Sequence, residues 1–390
     1  MKQISLLRSY KTLFFIFLFI FSCDLIQAQT PTLDYTNGVT TGTATRTYTV
    51  ASSIANETPI VSNFSSPIYV KAVVSNMVNF RLTGGGALSI SQPGTLYPNG
   101  YQNYRFASGN GRVYSLDFGG LADAYQTAPQ GSRPSFPNMG TPFSVVTIAA
   151  GDLVSDPSTH RIYLVTAAAT PMVVVGNPTS SQSGDQAGSA NTNVLMSSPM
   201  TILPIPGQRN QVWVADKGNN KIKILNVETQ TTTDLAVTGV TLNAPVGLAT
   251  DPTGSYLYVT DSNRLTRINL SNNTATVLAG ASTSGDVDGG AGTSRLNNPM
   301  GIAVDRDGNV FIADKLNHKI KMYVPSVGDV VTIAGNGTAG DVLGQDQTAQ
   351  FNQPVAVLYD YGANTLQVSD YGNNKIKTLT YTTAYSVTPN

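Results

Sequence analysis

The sequence predicts an all-β fold, a β-propeller of four-stranded antiparallel blades. Three observations carry that expectation. The stretch 296–324, LNNPMGIAVDRDGNVFIADKLNHKIKMYV, reads as three short strands joined by two polar turns. The apolar run Val330-Val331-Thr332-Ile333-Ala334 supplies a fourth strand after it. The unit then recurs: Pro199, Pro245, Pro299 and Pro354 mark a period of roughly fifty residues, which indicates a propeller, solenoid or array. Four strands per unit select the propeller. A lone meander leaves both faces bare, whereas a closed ring of them covers every face.

Each element of the unit has its own reason. Gly301-Ile302-Ala303-Val304 is an apolar run long enough for one buried strand. Asp305-Arg306-Asp307-Gly308-Asn309 turns the chain: Asp bonds backbone two residues on, and Gly takes φ > 0 without steric cost. Val310-Phe311-Ile312-Ala313 is the second strand, and Asp314-Lys315-Leu316-Asn317-His318 a second polar turn. Lys319-Ile320-Lys321-Met322-Tyr323-Val324 alternates polar and apolar as a half-buried strand does.

The sister stretches are 196–225, 242–270 and 351–379. Together these residues resemble the NHL-repeat family. Its signature is a Pro, an apolar strand ending in Asp, a D-x-x-G-N-type turn, a strand ending in Ala-Asp, then G/S-N-N/H-R/K-I. Here that pattern is Pro299, Asp305, Gly308, Asn309, Asp314 and Asn317-His318-Lys319-Ile320. Its second half repeats at Asp216, Gly218, Asn219, Asn220, Lys221, Ile222 and at Asp370, Gly372, Asn373, Asn374, Lys375, Ile376. The copy at Asp261 has Asn263-Arg264-Leu265 and is shorter. Clear copies occupy 190–240, 241–290, 291–345 and 346–390, about half the chain.

Composition narrows the function. Only 12% of the 390 residues are charged and the formal net charge is zero, which argues against a phosphate-binding field and so against nucleic acid as partner. Lys2, Arg8 and Lys11 precede an apolar run of about ten residues, the build of a signal peptide over 1–28 and too short to span a bilayer. Cleavage after Ala28 is the preferred reading. Ile20-Phe21-Ser22-Cys23 also resembles a lipobox, so a lipid anchor at Cys23 stays open. Cys23 is the only cysteine, which leaves no pair for a disulfide. The protein is expected to be exported, as a secreted, periplasmic or cell-surface protein, with no transmembrane segment in the mature chain.

Residues 29–63 are Thr- and Ser-rich, with weak alternation at Thr45-Arg46-Thr47-Tyr48-Thr49-Val50. That segment, or 68–74, is a candidate to close the ring. Tyr385-Ser386-Val387 is a competing fourth strand for the last unit. The propeller itself is expected over 64–390. Residues 67–74 and 78–82 read as strands, and Tyr104-Arg105-Phe106 and Arg112-Val113-Tyr114-Ser115-Leu116 as a hairpin around Gly109-Asn110-Gly111. A long loop over 121–141 leads to strands at 143–149 and 161–165 around the turn Asp156-Pro157-Ser158-Thr159. Six blades is the preferred count, and seven if 66–141 holds two thin ones.

Strand parity decides which loops share a face. The second-to-third turns and the crossings to the next blade lie together. The crossings carry Asp185, Asp286, Asp288 and Asp341, and the turns carry Lys217, Asn219, Lys315, His318, Tyr371 and Asn373. These are the candidate partner-binding residues; no catalytic, cofactor or metal residue is assigned. The strand-ending Asp is read as an acceptor for backbone N–H groups in the turn that follows it. His318 is read as a solvated turn residue and Trp213 as a packing residue. Asp286-Val287-Asp288-Gly289 resembles the opening of a calcium loop, but the twelfth position is Asn297 where a Glu is needed. His160 and His318 are the only histidines, too few for the His-rich metal site of the related amidating lyases or for a triad. No cofactor is therefore expected. A gluconolactonase-type hydrolase, with metal held by carboxylates and Asn in the channel, is the alternative; Met200, Val246, Met300 and Val355 at the inner strand starts speak against it. The leading expectation is an exported, non-catalytic scaffold that binds a protein or glycan through its polar loop face.

Overall fold

A computed structural model describes residues 139–166, 171–186, 194–344, 346–361 and 365–382, and the backbone of the short strands named below outside those ranges. The chain divides into two compact units, 1–71 with 382–390, and 72–381. In the first, β1 (Arg46–Thr49) pairs antiparallel with Ala384–Val387, with Tyr48 opposite Tyr385. The boundary falls inside β2 (Lys71–Ala72), and the second unit contains the propeller.

The first sheet of that unit is β3 (Pro93–Pro98), β4 (Tyr104–Ser108), β5 (Arg112–Asp117) and β6 (Gly120–Asp123), in sequence order. The expected hairpin is there, with Ser108 opposite Arg112. β7 (Ser144–Ile148), β8 (Gly151–Asp156), β9 (Arg161–Val165) and β10 (Met172–Val175) follow. The sequence reading has no strand at β8. Gly151 does turn the chain, at φ +141°, but hydrogen bonding to β7 starts at Gly151 itself.

The clear repeats then form one sheet each. They are β11 (Pro199–Pro204), β12 (Gln211–Asp216), β13 (Lys221–Asn226) and β14 (Thr231–Asp234); and β15 (Pro245–Thr250), β16 (Tyr256–Asp261), β17 (Arg264–Asn269) and β18 (Thr274–Gly280). The third adds the short β19 (Gly289–Gly290) outside β20 (Pro299–Val304), β21 (Val310–Asp314), β22 (Lys319–Val324) and β23 (Asp329–Ala334). The last is β24 (Pro354–Asp360), β25 (Thr365–Asp370) and β26 (Lys375–Thr382), completed by β2 at its outer edge. Tyr385-Ser386-Val387 does not serve there. One residue, Thr383, separates Thr382 from Ala384, and a hairpin loop needs at least two.

The repeat markers face each other. Pro199, Pro245, Pro299 and Pro354 pair with Asp216, Asp261, Asp314 and Asp370, and a register shift follows each Pro. Pro is tolerated because it opens the strand. The second strands are buried almost throughout, in the pattern iBBBBB for β12, β16 and β25, since a neighbouring blade covers each face. Trp213 is among these buried residues. The apolar clusters run between blades: Val146, Leu153 and Ile162 join Ile202, Val212 and Val214, and Ala249 and Tyr258 join Ile302, Val304 and Ile312. First strands pack side by side, β7 on β11, β11 on β15, β15 on β20 and β20 on β24. They approach so closely that a Cβ on Gly247 would lie 2.2 Å from the Met300 carbonyl oxygen.

Candidate ligand-binding face

The face is built from the end of each second strand. After Asp216, Asp314 and Asp370 the chain makes one 3-10 turn, Lys217–Asn219, Lys315–Asn317 or Tyr371–Asn373. Each ends in a left-handed residue, Asn220, His318 or Asn374. The Asp carboxylates do not cap the backbone N–H groups of these turns. Their Oδ1 atoms accept the N–H of Ser197 (2.7 Å), Asn297 (2.8 Å) and Asn352 (2.7 Å), and Oδ2 accepts the side-chain amide of Asn219, Asn317 or Asn373. The reason is the register: with Pro opposite Asp, the residue two before Pro lies alongside the carboxylate. Asp156 keeps the expected forward bonds, to Ser158 and Thr159. Burial pushes the carboxyl of Asp314 up to about 7 and that of Asp216 up to about 6.

The same asparagines hold the crossing loops. Asn219, Asn317 and Asn373 each donate from Nδ2 to a glycine carbonyl, of Gly184 (2.7 Å), Gly285 (2.7 Å) and Gly340 (2.8 Å). The next residue is Asp185, Asp286 or Asp341, and two lysines of the third strand grip it. Asp185 bonds Lys221 (2.6 Å) and Lys223 (2.7 Å), and Asp286 bonds Lys319 (2.5 Å) and Lys321 (2.7 Å). Asp341 bonds Lys375 and Lys377. Asp288 adds a second carboxylate to Lys321 at 2.8 Å. The lysine ammonium thus stands between the two carboxylates that a cation at Asp286-Val287-Asp288 would have to share. The lysines hold the carboxyls of Asp185, Asp286 and Asp341 below the usual range, against the opposing effect of burial.

The blade β15–β18 tests the logic from inside the chain. Its crossing loop has no Gly-Asp, and Thr266 stands where Lys223, Lys321 and Lys377 stand in its sisters. There Asp261 takes Arg264 instead, at 2.5 Å. Buried lysine and loop aspartate come and go together.

A further set of bonds ties blade to blade. His160 Nδ1, Asn220 Oδ1, Asn263 Oδ1 and His318 Nδ1 accept the N–H of Ser198 (2.9 Å), Ala244 (2.7 Å), Asn298 (3.0 Å) and Gln353 (3.0 Å). The four donors all have positive φ, between 52° and 53°. His318 is therefore an inter-blade acceptor and not simply a solvated residue. Burial lowers its pKa, which keeps Nδ1 free to accept.

Lys217, Lys315 and Tyr371 take the remaining place, first in each 3-10 turn. All three are half-buried. Lys315 Nζ lies 5.4 Å from the centre of the Tyr371 ring, and burial together with the like charge of Lys217 holds its ammonium below the usual lysine range. Tyr371 packs on the apolar cluster that contains Met200, Val246, Met300 and Val355, the residues after the four repeat prolines. In the same turns and crossing loops Leu316, Val287, Val342 and Leu343 are exposed. Sequence reasoning passed over Lys223, Lys321 and Lys377, reading Lys-Ile-Lys as simple alternation. The signal was there: three blades with Lys-Ile-Lys are the three entered through Gly-Asp.

The profile of the Teneurin NHL domain matches residues 228–380. NHL repeat-containing protein 2 of Bos taurus is 32% identical over 145 residues, which is 34% of this chain and 20% of that protein. The repeats of this β-propeller are of the NHL type. It spans about a fifth of the length of the curated NHL relative, 20%. Among solved structures, the NHL propeller is similar to an auxiliary nutrient binding protein of Bacteroides ovatus, with TM-score 0.58, 19% identity, and coverage of 80% of this chain and 76% of that one. It is also similar to a gluconolactonase of Xanthomonas campestris, with TM-score 0.50, 12% identity, and coverage of 81% and 99%. Both likenesses speak to the fold alone.

What the NHL face can do follows from its charges. The loop carboxylates are already neutralised by lysines or by backbone donors. Among the described residues no three His, Cys, Asp or Glu side chains gather in a way that could hold a metal. No helix among them is long and apolar enough to cross a membrane.

Proposed function

We propose that this NHL propeller is an exported, non-catalytic binding protein whose crossing-loop face takes a protein or glycan partner. The observation that carries the reading is the placing of apolar side chains. Of the seven exposed large hydrophobics among the described residues, Leu316, Val287, Val342 and Leu343 lie on this one face. They surround carboxylates that are satisfied internally. An exposed apolar set on a rigid, charge-neutralised rim is what a recognition surface requires. The nutrient-binding role named for the Bacteroides ovatus neighbour agrees with this. The positive start and apolar run of residues 1–28 support export, with lipidation at Cys23 as the variant form.

The ring is proposed to hold six blades. Support comes from β3, which packs against β24 on one side and β7 on the other, so that the inner strands follow one another without a gap. The test of function is a glycan and protein array probed with the full chain. Leu316→Ser, Val342→Ser and Leu343→Ser together should abolish capture and leave the melting temperature in place. The hydrolase alternative predicts instead one tightly held divalent ion per chain and metal-dependent lactone hydrolysis. Either finding would overturn the binding reading.

A further inference from the structure

The interface between blades β15–β18 and β20–β23 breaks the repeat. Trp213, Tyr258, Phe311 and Gln367 hold one place in the second strands, and opposite them in the third strands stand Ile224, Arg267, Met322 and Thr378. Arg267 is the one charged residue of that set. Opposite Val212, Leu257, Val310 and Leu366 stand Leu225, Ile268, Tyr323 and Leu379, where Tyr323 is the one polar exception. The two exceptions face each other. Tyr258 packs with Ile302, Val304, Ile312 and Tyr323 of the next blade, and Tyr256 lies against the same cluster. Arg267 shares that side, since residues paired across adjacent strands do. Its guanidinium carbon stands 4.5 Å from the centre of the Tyr256 ring.

The polar ends of these side chains are unspent. Among the described residues no carboxylate lies within 4.0 Å of the Arg267 guanidinium, and neither it nor the hydroxyls of Tyr258 and Tyr323 make a hydrogen bond. The two tyrosines are only 4% and 6% exposed. Neither hydroxyl is a buried atom, so the exposed part of each residue includes its hydroxyl. Arg267 and Tyr256 are half-buried and reached by solvent. Asp251, in the adjoining turn, is taken by the N–H of Tyr256 at 2.6 Å. Burial raises the pKa of both phenols against the opposing charge of Arg267, which keeps them as neutral donors. A lone guanidinium suits a planar monoanion that accepts two parallel N–H bonds. Phenol hydroxyls beside it, able to donate and accept, suit the hydroxyls of a sugar.

We propose that Arg267, Tyr258 and Tyr323 form, beside the Tyr256 ring, a binding site for a carboxylate-bearing sugar, a uronic acid unit of an acidic glycan. Arg267 takes the carboxylate, and the two phenols take hydroxyls of the same sugar. A single positive charge matches a carboxylate and not a phosphate dianion. The site lies between two blades, apart from the crossing-loop face, and does not depend on the reading of that face.

The test is NMR titration of the full chain with the galacturonic acid trimer, the methyl ester of that trimer and inorganic phosphate. The trimer should bind, and the ester and phosphate should each bind at least tenfold more weakly. Arg267→Met places there the residue that the next blade carries, so the melting temperature should hold while trimer binding falls at least tenfold. Arg267→Lys keeps the charge without the fork and should also weaken the trimer, and Tyr323→Phe should weaken it without unfolding the chain. Absence of trimer binding, equal binding of the ester, tighter binding of phosphate, or undiminished binding by Arg267→Met would each overturn the site. The variant carrying Leu316→Ser, Val342→Ser and Leu343→Ser should bind the trimer as wild type does. Loss of trimer binding there would place the sugar on the crossing-loop face and overturn this site while leaving the wider binding reading in place.

Discussion

Lys321 offers the sharpest test of how the face is held. Its side chain is 0% exposed, with Nζ 2.7 Å from Asp286 and 2.8 Å from Asp288, whose side chains are 34% and 43% exposed. The pair can be dismantled from either end. Asp286→Asn with Asp288→Asn leaves the ammonium buried without its carboxylates. Stripping one side from a buried pair costs about 3–5 kcal/mol; with carboxylates this exposed the lower end, about 3 kcal/mol, is expected. Lys321→Met keeps the volume and removes the buried charge, while the carboxylates can turn to water and Lys319 still holds Asp286 at 2.5 Å. That change should fall within about 1 kcal/mol of neutral. The two variants should therefore differ by about 2 kcal/mol in a fixed direction. Urea unfolding measures this as a midpoint shift at constant slope. If Lys321→Met costs as much as the double Asp variant, the ammonium is not held at the expense of desolvation, and the account of the crossing loops fails.

Two other predictions follow from the same geometry. His318→Ala leaves the Gln353 N–H without its acceptor and should cost about 1 kcal/mol in thermal unfolding, whereas His318→Asn, the residue its sisters use, should cost nearly nothing. Because burial lowers the folded pKa of His318, the unfolded chain takes up the proton first; its contribution is full above the unfolded value of 6.5 and is lost as pH falls through the folded one. The melting temperature of wild type minus that of His318→Asn should then drop between pH 8 and pH 5, and a flat difference would refute the clamp. Gly247→Ala drives a Cβ to 2.2 Å from the Met300 carbonyl oxygen and should destabilise by about 1–3 kcal/mol in urea unfolding; an unchanged midpoint would refute the close approach of the first strands.

Much of the fold could be read from residues whose local and global roles coincide. Pro299 starts a strand and Asp314 ends its partner, and the same two residues face each other across the sheet. Their period therefore reports real pairing. The site was less legible because its logic is between segments. Nothing local to Lys321 says that its ammonium meets Asp286, more than thirty residues earlier. Strand parity puts Asp185, Asp286 and Asp341 on the side of the turns at Lys217, Lys315 and Tyr371, but a one-dimensional pattern cannot tell a carboxylate offered to solvent from one already taken. The direction of the Asp216 bonds was equally hidden, since it depends on which residue the facing Pro brings alongside. The strand Gly151–Asp156 was missed because a glycine with positive φ and a paired strand residue are usually different positions, and here they are one.

The repeats also separate scaffold from specificity. Where three blades agree, Asn219, Asn317 and Asn373 each bond the carbonyl of the loop glycine and Lys223, Lys321 and Lys377 each bond the Asp after it, and the shared chemistry is that of holding a crossing loop down. A ligand that touches the axis from one side meets no such symmetry. Its contacts must come from positions where the blades differ. The first residue of the turn is such a position: Lys217, Ser262, Lys315 and Tyr371 in four successive blades. The asymmetry is set on a ring of backbone fixed by the symmetric bonds beneath it, so the two layers can change independently. The turn residue can change its chemistry without moving the Asp and Asn that hold it. That independence lets a regular propeller present an irregular mouth.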